Sequence, residues 1–317
     1  MTQGESIAIG LCTYRRPSVA ETLASLGRLQ LPGSVKVSVI VADNDTTPTG
    51  EDIVRNAGTE LPFPVTYLFA PANNISVARN AILQAARTSG ARYLAFLDDD
   101  ETVDSAWLVT LLDAVRDRQC ACAIGPVQAD YHDTAPPWMR RGRMHDTVPK
   151  LDPEGFAVTG YTCNTLIDLR HPALAGCEFD PARGKTGGED TAFFDRILRQ
   201  GGQIAYAPQA IAYEVVPPER ARLGWLLRRR FRMGQTHGDL LLRDAGPLRR
   251  AAQAATAGAK ALACLALGLG HLANPVKRNG ALVRGALHLG NVSVCAGSRT
   301  LDIYGTKPLG ASQRPSN

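Results

Sequence analysis

Residues 93–101 read Tyr-Leu-Ala-Phe-Leu-Asp-Asp-Asp-Glu, a mainly apolar run that passes directly into four acidic residues. The apolar part predicts a buried strand. The carboxylates after it repel one another, so solvent or a cation must relieve that repulsion. Hard oxygen ligands favour Mg²⁺ or Mn²⁺. The stretch therefore predicts either a cation site at a strand end or a solvated loop in which Asp104 caps the next helix.

Other predicted strands also end in polar loops. Residues 7–12, 35–42 and 65–69 read as short strands that alternate with helical patterns, which is typical of β-α-β units on a mainly parallel sheet. Thr13-Tyr14-Arg15-Arg16 follows the first strand and Asp43-Asn44-Asp45 the second. Because open α/β sheets bind ligands at the carboxyl ends of their strands, we expect a ligand site where these loops converge.

The composition limits the class of protein. The chain has 317 residues, 44% hydrophobic and 21% charged, which excludes a disordered protein and a coiled coil. Its seven cysteines are scattered without a C-x-x-C pair, so we expect a reducing compartment and neither a disulfide framework nor a zinc ribbon. Residues 1–6 show no features of a signal peptide, which predicts a cytoplasmic protein.

Arginines accompany the acidic loops. Arg15, Arg16 and Arg79 lie just beyond strand ends or in a first helical turn, where guanidinium groups and free backbone N–H groups can hold a diphosphate. Arg79 could instead be a surface residue of its helix. The chain has neither a P-loop motif nor G-x-G-x-x-G after the first strand. We therefore favour a nucleotide-diphosphate site of another kind.

Five short motifs follow one another along residues 6–236. In order, they are Thr13-Tyr14-Arg15-Arg16-Pro17, Asp43-Asn44-Asp45, Asn74 with Ala78-Arg79-Asn80, Asp98-Asp99-Asp100, and Gly188-Glu189-Asp190. The ordered set resembles the family 2 glycosyltransferases, and among them bacterial exopolysaccharide glucosyltransferases of the succinoglycan type. The resemblance implies the GT-A fold, an α/β architecture with a Rossmann-like, mainly parallel sheet flanked by helices, here with a C-terminal helical extension.

The resemblance also implies roles for individual residues. Asp43 would accept a hydrogen bond from the base imide, Asp98 would address the ribose or sugar hydroxyls, and Asp100 would bind the metal. Asp190 would be the catalytic base, although it could instead only cap a helix. The donor-binding residues implied are Thr13, Tyr14, Arg16, Asp43, Asp45, Arg79, Asp98 and Asp99. The chain departs from the family pattern at Asn44 and Asn74, which leaves the base and the sugar open.

The function implied is an inverting, metal-dependent transferase that uses Mg²⁺ or Mn²⁺. It would move a sugar, glucose by analogy, from a UDP-sugar to a growing bacterial polysaccharide. The acceptor saccharide would be carried on a polyprenyl diphosphate. Trp138, Trp225 and Tyr161 are candidates to stack on acceptor sugars. The alternatives are another nucleotide-sugar donor, or a non-catalytic module that binds anionic membranes or nucleic acid. Acidic loops at three strand ends disfavour nucleic acid as a partner.

The C-terminal part differs in composition. We expect a catalytic domain over residues 1–218 and a basic, amphipathic helical region over 219–317. Residues 261–276 are apolar but shorter than the roughly 20 residues of a membrane-spanning helix. We therefore predict peripheral association with the anionic inner face of the cell membrane. The alternative is that these helices cover the catalytic domain or form a dimer contact, and the oligomeric state stays open.

Overall fold

Strands and helices alternate in the first part of the chain. The structure, a computed structural model, describes residues 5–298 except 32, 34 and 244. The elements up to the acidic loop are β1 (Ser6–Thr13), α1 (Val19–Leu26), β2 (Lys36–Asp43), α2 (Glu51–Gly58), β3 (Val65–Phe69), α3 (Ile75–Thr88), β4 (Tyr93–Asp98) and β5 (Glu101–Val103).

Short strands and longer helices follow. These elements are α4 (Trp107–Arg118), β6 (Cys122–Ile124), β7 (Val127–Tyr131), α5 (Pro137–Arg141), β8 (Asn164–Asp168), α6 (Glu189–Arg199), β9 (Ile204–Tyr206), β10 (Ala212–Val216), α7 (Leu223–Leu242), α8 (Pro247–Gly270) and α9 (Pro275–Cys295). Asp104 does not cap α4 with its side chain; the cap position is Ala106, and the Asp104 carboxylate accepts a hydrogen bond from Tyr213 at 3.0 Å.

A seven-stranded sheet lies at the centre, in the order β3-β2-β1-β4-β8-β6-β9. Strands β1 to β4 are parallel, whereas β8 runs antiparallel to both of its neighbours. A second sheet has the order β5-β10-β7. The predicted α/β architecture with a mainly parallel sheet and C-terminal helices is confirmed, while the antiparallel β8 and the second sheet were not predicted.

Helices pack on both faces of the central sheet. Along β1, Ile7, Ile9 and Leu11 face one buried cluster and Ala8 faces the other, as the period of two requires. Gly10 lets α3 approach the sheet closely, since a Cβ there would lie 2.4 Å from the Ile82 side chain. The core therefore holds β1 and its neighbours rigidly, which fixes the positions of their carboxyl ends.

The last three helices pack on one another beside the central sheet. Residues 261–276 do not form one helix, because Asn274 and Pro275 start α9 and the Asn274 side chain accepts a hydrogen bond from the Lys277 N–H. Instead α8 is 24 residues long. It is the one helix in the described part of the chain whose length and composition would allow it to cross a membrane, and 22% of its apolar window is buried in the fold.

Candidate active site

Three parallel strands bring the predicted loops to one edge of the sheet. Thr13 at the end of β1 pairs in register with Asp43 at the end of β2. On the other side of β1, Cys12 pairs with Asp98 at the end of β4. The loops that the sequence analysis singled out therefore meet, as parallel strand ends must.

Arg16 faces the acidic loop after β4. Its guanidinium lies 3.0 Å from an Asp99 carboxylate oxygen and also pairs with Asp100. Asp99 is 5% exposed, and this burial, against the opposing charge of Arg16, raises its pKa to about 7. Burial also raises the pKa of Glu101, whose carboxylate accepts a hydrogen bond from the Asp98 N–H. Arginine pairing and raised pKa values thus relieve part of the expected repulsion.

Arg79 joins the acidic loop to the start of α6. Its guanidinium pairs with Glu189 and lies 3.8 Å from the Asp98 carboxylate. Arg79 and Glu189 are each 7% exposed, so the surface alternative for Arg79 is wrong. Gly188, with φ +87°, turns the chain into α6 directly before this pair. Two predicted motifs are therefore connected by one buried ion pair, whose members are 110 residues apart in the chain.

Asp190 is the second residue of α6 and is half-buried. Its carboxylate accepts a hydrogen bond of 2.6 Å from the Thr191 N–H, and the cap position of α6 is Gly188. Asp190 is therefore not the cap residue itself, although its carboxylate does accept a hydrogen bond from an N–H group of the first turn. In the first turn, the positive end of the helix dipole stabilises a carboxylate. Asp190 interacts electrostatically with Arg79 and Asp98, so its carboxylate lies near the acidic loop after β4.

The acidic residues after β2 organise the neighbouring loop. Both oxygens of the fully buried Asp43 are occupied, by the N–H groups of Asp45 and Gly50 and by the Tyr67 hydroxyl. Asp45 accepts two hydrogen bonds from Arg15, at 2.8 and 3.0 Å, and these lower its pKa to about 2.

The other residues predicted near the nucleoside lie in the same loops. Thr13 is buried, whereas the Tyr14 side chain is partly exposed and the Arg15 guanidinium lies 5.2 Å from its ring centre. The Asn44 side chain accepts a hydrogen bond from the Asn74 N–H, and Asn74 caps α3. Asn44 and Asn74, where the chain departs from the family pattern, are therefore hydrogen-bonded to each other and connect the end of β2 to the start of α3.

Carboxylate oxygens at the end of β4 fit a divalent cation. Oxygens of Asp98 and Glu101 and the Cys163 sulfur lie within 4.8 Å of one another. Burial raises the pKa of the Cys163 thiol well above its usual value, so the sulfur stays protonated and does not suit a hard cation. Asp98 and Glu101 offer oxygen ligands of the kind that Mg²⁺ and Mn²⁺ prefer, whereas Asp100, the predicted metal ligand, pairs with Arg16.

The three aromatic residues predicted to stack on an acceptor differ in accessibility. Tyr161 is 9% exposed and its hydroxyl donates to the Gly125 carbonyl at 2.7 Å, so its ring is closed to a sugar. Trp138 packs beside a buried apolar cluster near α7. Trp225 stacks on His145, with the Arg229 guanidinium 5.1 Å from its ring. Trp138 and Trp225 keep partly exposed rings.

Comparison with known proteins decides the family. The family model described as glycosyl transferase family 2 matches residues 8–173. The succinoglycan biosynthesis protein ExoM of Rhizobium meliloti (strain 1021) is 44% identical over 303 residues, which cover 96% of this chain and 97% of that protein. This chain belongs to glycosyl transferase family 2. The predicted resemblance is confirmed, and the enzyme is a family 2 glycosyltransferase.

Solved structures show the same fold. The mannosyltransferase PcManGT from Pyrobaculum calidifontis, in complex with GDP-Man and Mn²⁺, has a TM-score of 0.62 at 18% identity and covers 92% of this chain and 87% of its own. TarS 1–349 from S. aureus, in complex with UDP-GlcNAc, has a TM-score of 0.50 at 14% identity, with 92% of each chain covered. The predicted GT-A fold of this family 2 enzyme is therefore confirmed.

The sequence analysis gave no role to two acidic residues that lie beside the predicted site residues. Glu189 was quoted within a motif without a role of its own, although it is the buried partner of Arg79. Glu214 on β10 lies opposite Glu101 on β5 and pairs with Arg220 at 3.0 Å. A lone glutamate in an otherwise apolar strand is the signal that could have singled out Glu214.

Proposed function

We propose that this enzyme is an inverting glycosyltransferase that moves glucose from a UDP-sugar to a lipid-linked polysaccharide acceptor. The observation that carries the proposal is the placement of Asp98, Asp100 and Asp190 at one edge of the sheet, joined through Arg79 and Glu189. Its 44% identity to a succinoglycan biosynthesis protein over nearly the whole chain supports a role in exopolysaccharide synthesis.

The donor would bind across the ends of β1, β2 and β4. Asp43, which the family resemblance assigns to the base imide, is fully buried and already accepts three hydrogen bonds, so it would shape the nucleoside pocket by holding Tyr67 and the loop of residues 45–50 in place. Thr13, Tyr14 and Asp45 would shape the same nucleoside pocket. Arg16, whose side chain is 38% exposed, lies beside the acidic loop where the diphosphate would be held. Arg79 and Asp99 would support that part of the pocket.

Asp100 would hold Mg²⁺ or Mn²⁺, and Asp98 would address the ribose or sugar hydroxyls of the donor. When bound, the cation neutralises charge that develops on the departing diphosphate. Asp190 would take the proton of the acceptor hydroxyl while the oxygen of that hydroxyl forms a bond to the anomeric carbon. The bond from that carbon to the diphosphate breaks, and its electron pair leaves with the UDP. An α-linked donor would therefore give a β-linked product.

The C-terminal region would place the enzyme at the cytoplasmic face of the membrane. Leu262, Leu265, Leu269 and Leu272 are 49–69% exposed and fall near one side of α8 and the turn after it. Residues 245–298 contain six lysines and arginines and no acidic residue, which suits an anionic surface. Replacing Leu262 and Leu269 by serine should reduce co-sedimentation with anionic vesicles. The equally exposed Val148 and Val215 provide the control pair, and equal binding by all three proteins would contradict membrane contact.

Calorimetric titration with UDP, with and without Mn²⁺, tests the donor site. We expect binding that needs the metal and falls at least about tenfold in Asp100→Ala, because a hard cation loses one of few carboxylate ligands. Asp117→Asn, an exposed position on α4, is the control. Binding of another nucleoside diphosphate but not UDP would overturn the donor, and equal binding by Asp100→Ala would overturn the metal site.

A further inference from the structure

The three C-terminal helices and the loop after α5 enclose a cavity of about 610 Å³. Residues of α7, α8 and α9 line it together with residues 142–144, and none of the predicted donor-binding residues does. Its volume lies in the range of small-molecule sites, roughly 300–1,000 Å³. The cavity is therefore a second concave site, separate from the carboxyl ends of the strands.

The charged side chains that line this cavity are all basic. They are Arg143, Arg230, Lys277 and Arg284. Lys277 and Arg284 lie seven residues apart on α9, which puts both on one face of the helix. Arg143 pairs with Asp146, whereas the other three pair with no carboxylate in the described part of the chain. The lining therefore favours an anionic ligand.

Arg230 is the most enclosed of these cations. Burial lowers its pKa, and the neighbouring Arg229 lowers it further. An anion in the cavity would offset both effects, because an opposite charge stabilises the protonated guanidinium.

The uncharged part of the lining identifies the kind of anion. Met144, Leu267, Val276, Val283 and Leu287 are apolar, and among the described residues His271 is the one aromatic ring in the lining, which contains no Asp or Glu. A nucleobase would gain from an aromatic face, and sugar hydroxyls from carboxylate acceptors. Basic groups among aliphatic side chains instead match a phosphate headgroup that continues into a hydrocarbon chain.

Helix α7 contacts both this cavity and the loop that leads into α6. Arg230 of α7 lines the cavity, and Arg232 donates hydrogen bonds to the carbonyl oxygens of Thr186 and Gly187. Thr186 and Gly187 come directly before the Gly188-Glu189-Asp190 motif. A ligand in the cavity would therefore lie against the helix that supports the proposed base.

We propose that this cavity binds the phosphate or diphosphate headgroup of a membrane amphiphile, with the first carbons of its chain against Val276, Val283 and Leu287. An anionic phospholipid and a lipid-linked acceptor share this headgroup chemistry. Binding of a lipid-linked acceptor rests on the proposed function, whereas binding of an anionic phospholipid does not.

Vesicle flotation with the full-length protein tests the proposal. Three kinds of vesicle are compared. One contains phosphatidylcholine alone, one contains phosphatidylcholine with phosphatidylglycerol, and one contains phosphatidylcholine with undecaprenyl phosphate. The K277Q/R284Q variant should bind vesicles that contain phosphatidylglycerol or undecaprenyl phosphate about tenfold more weakly than the unaltered protein. The control, R249Q/K260Q, removes one lysine and one arginine that are equally exposed in the same acid-free region but do not line the cavity. It should stay within about twofold.

The outcomes separate the two sources. A loss confined to undecaprenyl phosphate assigns the cavity to the lipid-linked acceptor, and an equal loss with phosphatidylglycerol assigns it to bilayer lipids. Equal losses in both double variants, or unchanged binding by K277Q/R284Q, would overturn the proposal. Because no sugar donor is present, such a failure leaves the transferase proposal standing, and UDP calorimetry tests that one separately.

An uncharged variant tests the shape of the cavity. A Cβ at Gly280 would lie 3.7 Å from the Met144 methyl group, so Gly280→Leu places its side chain in the cavity without changing the charge. We expect it to lose binding to the preferred vesicles while its thermal unfolding stays cooperative. Gly258→Leu, on an open face of α8, is the control. Full binding by Gly280→Leu would also overturn the proposal.

Discussion

At the scale of single residues, arginines hold the site together. Arg16 contacts Asp99 and Asp100, and Arg79 contacts Glu189 and Asp98. Arg16 and Asp99 are 83 residues apart in the chain, and Arg79 and Glu189 are 110 residues apart. Sequence reasoning could place each residue at a strand end or helix start, but it could not show which carboxylates each arginine would meet.

The buried pair of Arg79 and Glu189 should be important for stability. Replacing Glu189 by glutamine leaves a buried guanidinium short of its main partner, which we expect to cost about 3 kcal/mol. Asp195→Asn on the same helix breaks a more exposed pair with Arg199 and should cost less than about 1 kcal/mol. Urea unfolding of both variants measures the difference. Equal losses of stability would contradict the special role of the buried pair.

The pair of Arg15 and Asp45 should make stability depend on pH. Its hydrogen bonds lower the Asp45 pKa from 3.8 to about 2, so the stabilisation is present above about pH 4 and is lost as the pH falls towards 2. Arg15→Gln should therefore be less stable than the unaltered protein at pH 6, with a difference that shrinks below pH 4. Urea unfolding from pH 6 to 3 tests this. The control is Arg28→Gln, whose guanidinium donates to the Ala24 carbonyl and pairs with no carboxylate among the residues that the structure describes. A difference that grows on acidification would contradict the account.

At the scale of elements, glycines determine how the C-terminal helices pack. A Cβ at Gly234 of α7 would lie 1.9 Å from the Leu287 carbonyl oxygen of α9, and one at Gly290 would lie equally close to the Phe231 carbonyl oxygen. The two backbones therefore touch at both points. From the sequence alone, these glycines can be recognised only as residues that disfavour a helix. Their role in packing depends on a partner helix more than 50 positions away in the chain.

Alanine substitutions separate packing from helix propensity. Gly290→Ala should destabilise the contact between α7 and α9, since a methyl group would overlap a backbone carbonyl. Gly258→Ala meets nothing within 4 Å and should stabilise α8 by up to about 1 kcal/mol. Thermal unfolding compares the two variants. A stabilising Gly290→Ala would show that the helices do not pack this way.

At the scale of the whole molecule, the first half of the fold was largely predictable. Strand periodicity located β1, β3 and β4 to within a residue or two, and the order of the motifs identified the family. The antiparallel β8 and the sheet of β5, β10 and β7 were not predicted, because they pair segments far apart in the chain. The boundary near residue 218 and the roles of the site residues stay predictions.

The most direct test of the central claim is sugar transfer by Asp190→Asn. Transfer from radiolabelled UDP-glucose to the lipid fraction of bacterial membranes is measured beside calorimetric UDP binding. If Asp190 is the base, transfer should fall by about 10²- to 10⁴-fold while UDP binding stays unchanged, because the amide keeps the shape of the carboxylate but cannot accept the proton. Undiminished transfer by the variant would contradict the mechanism proposed for this site.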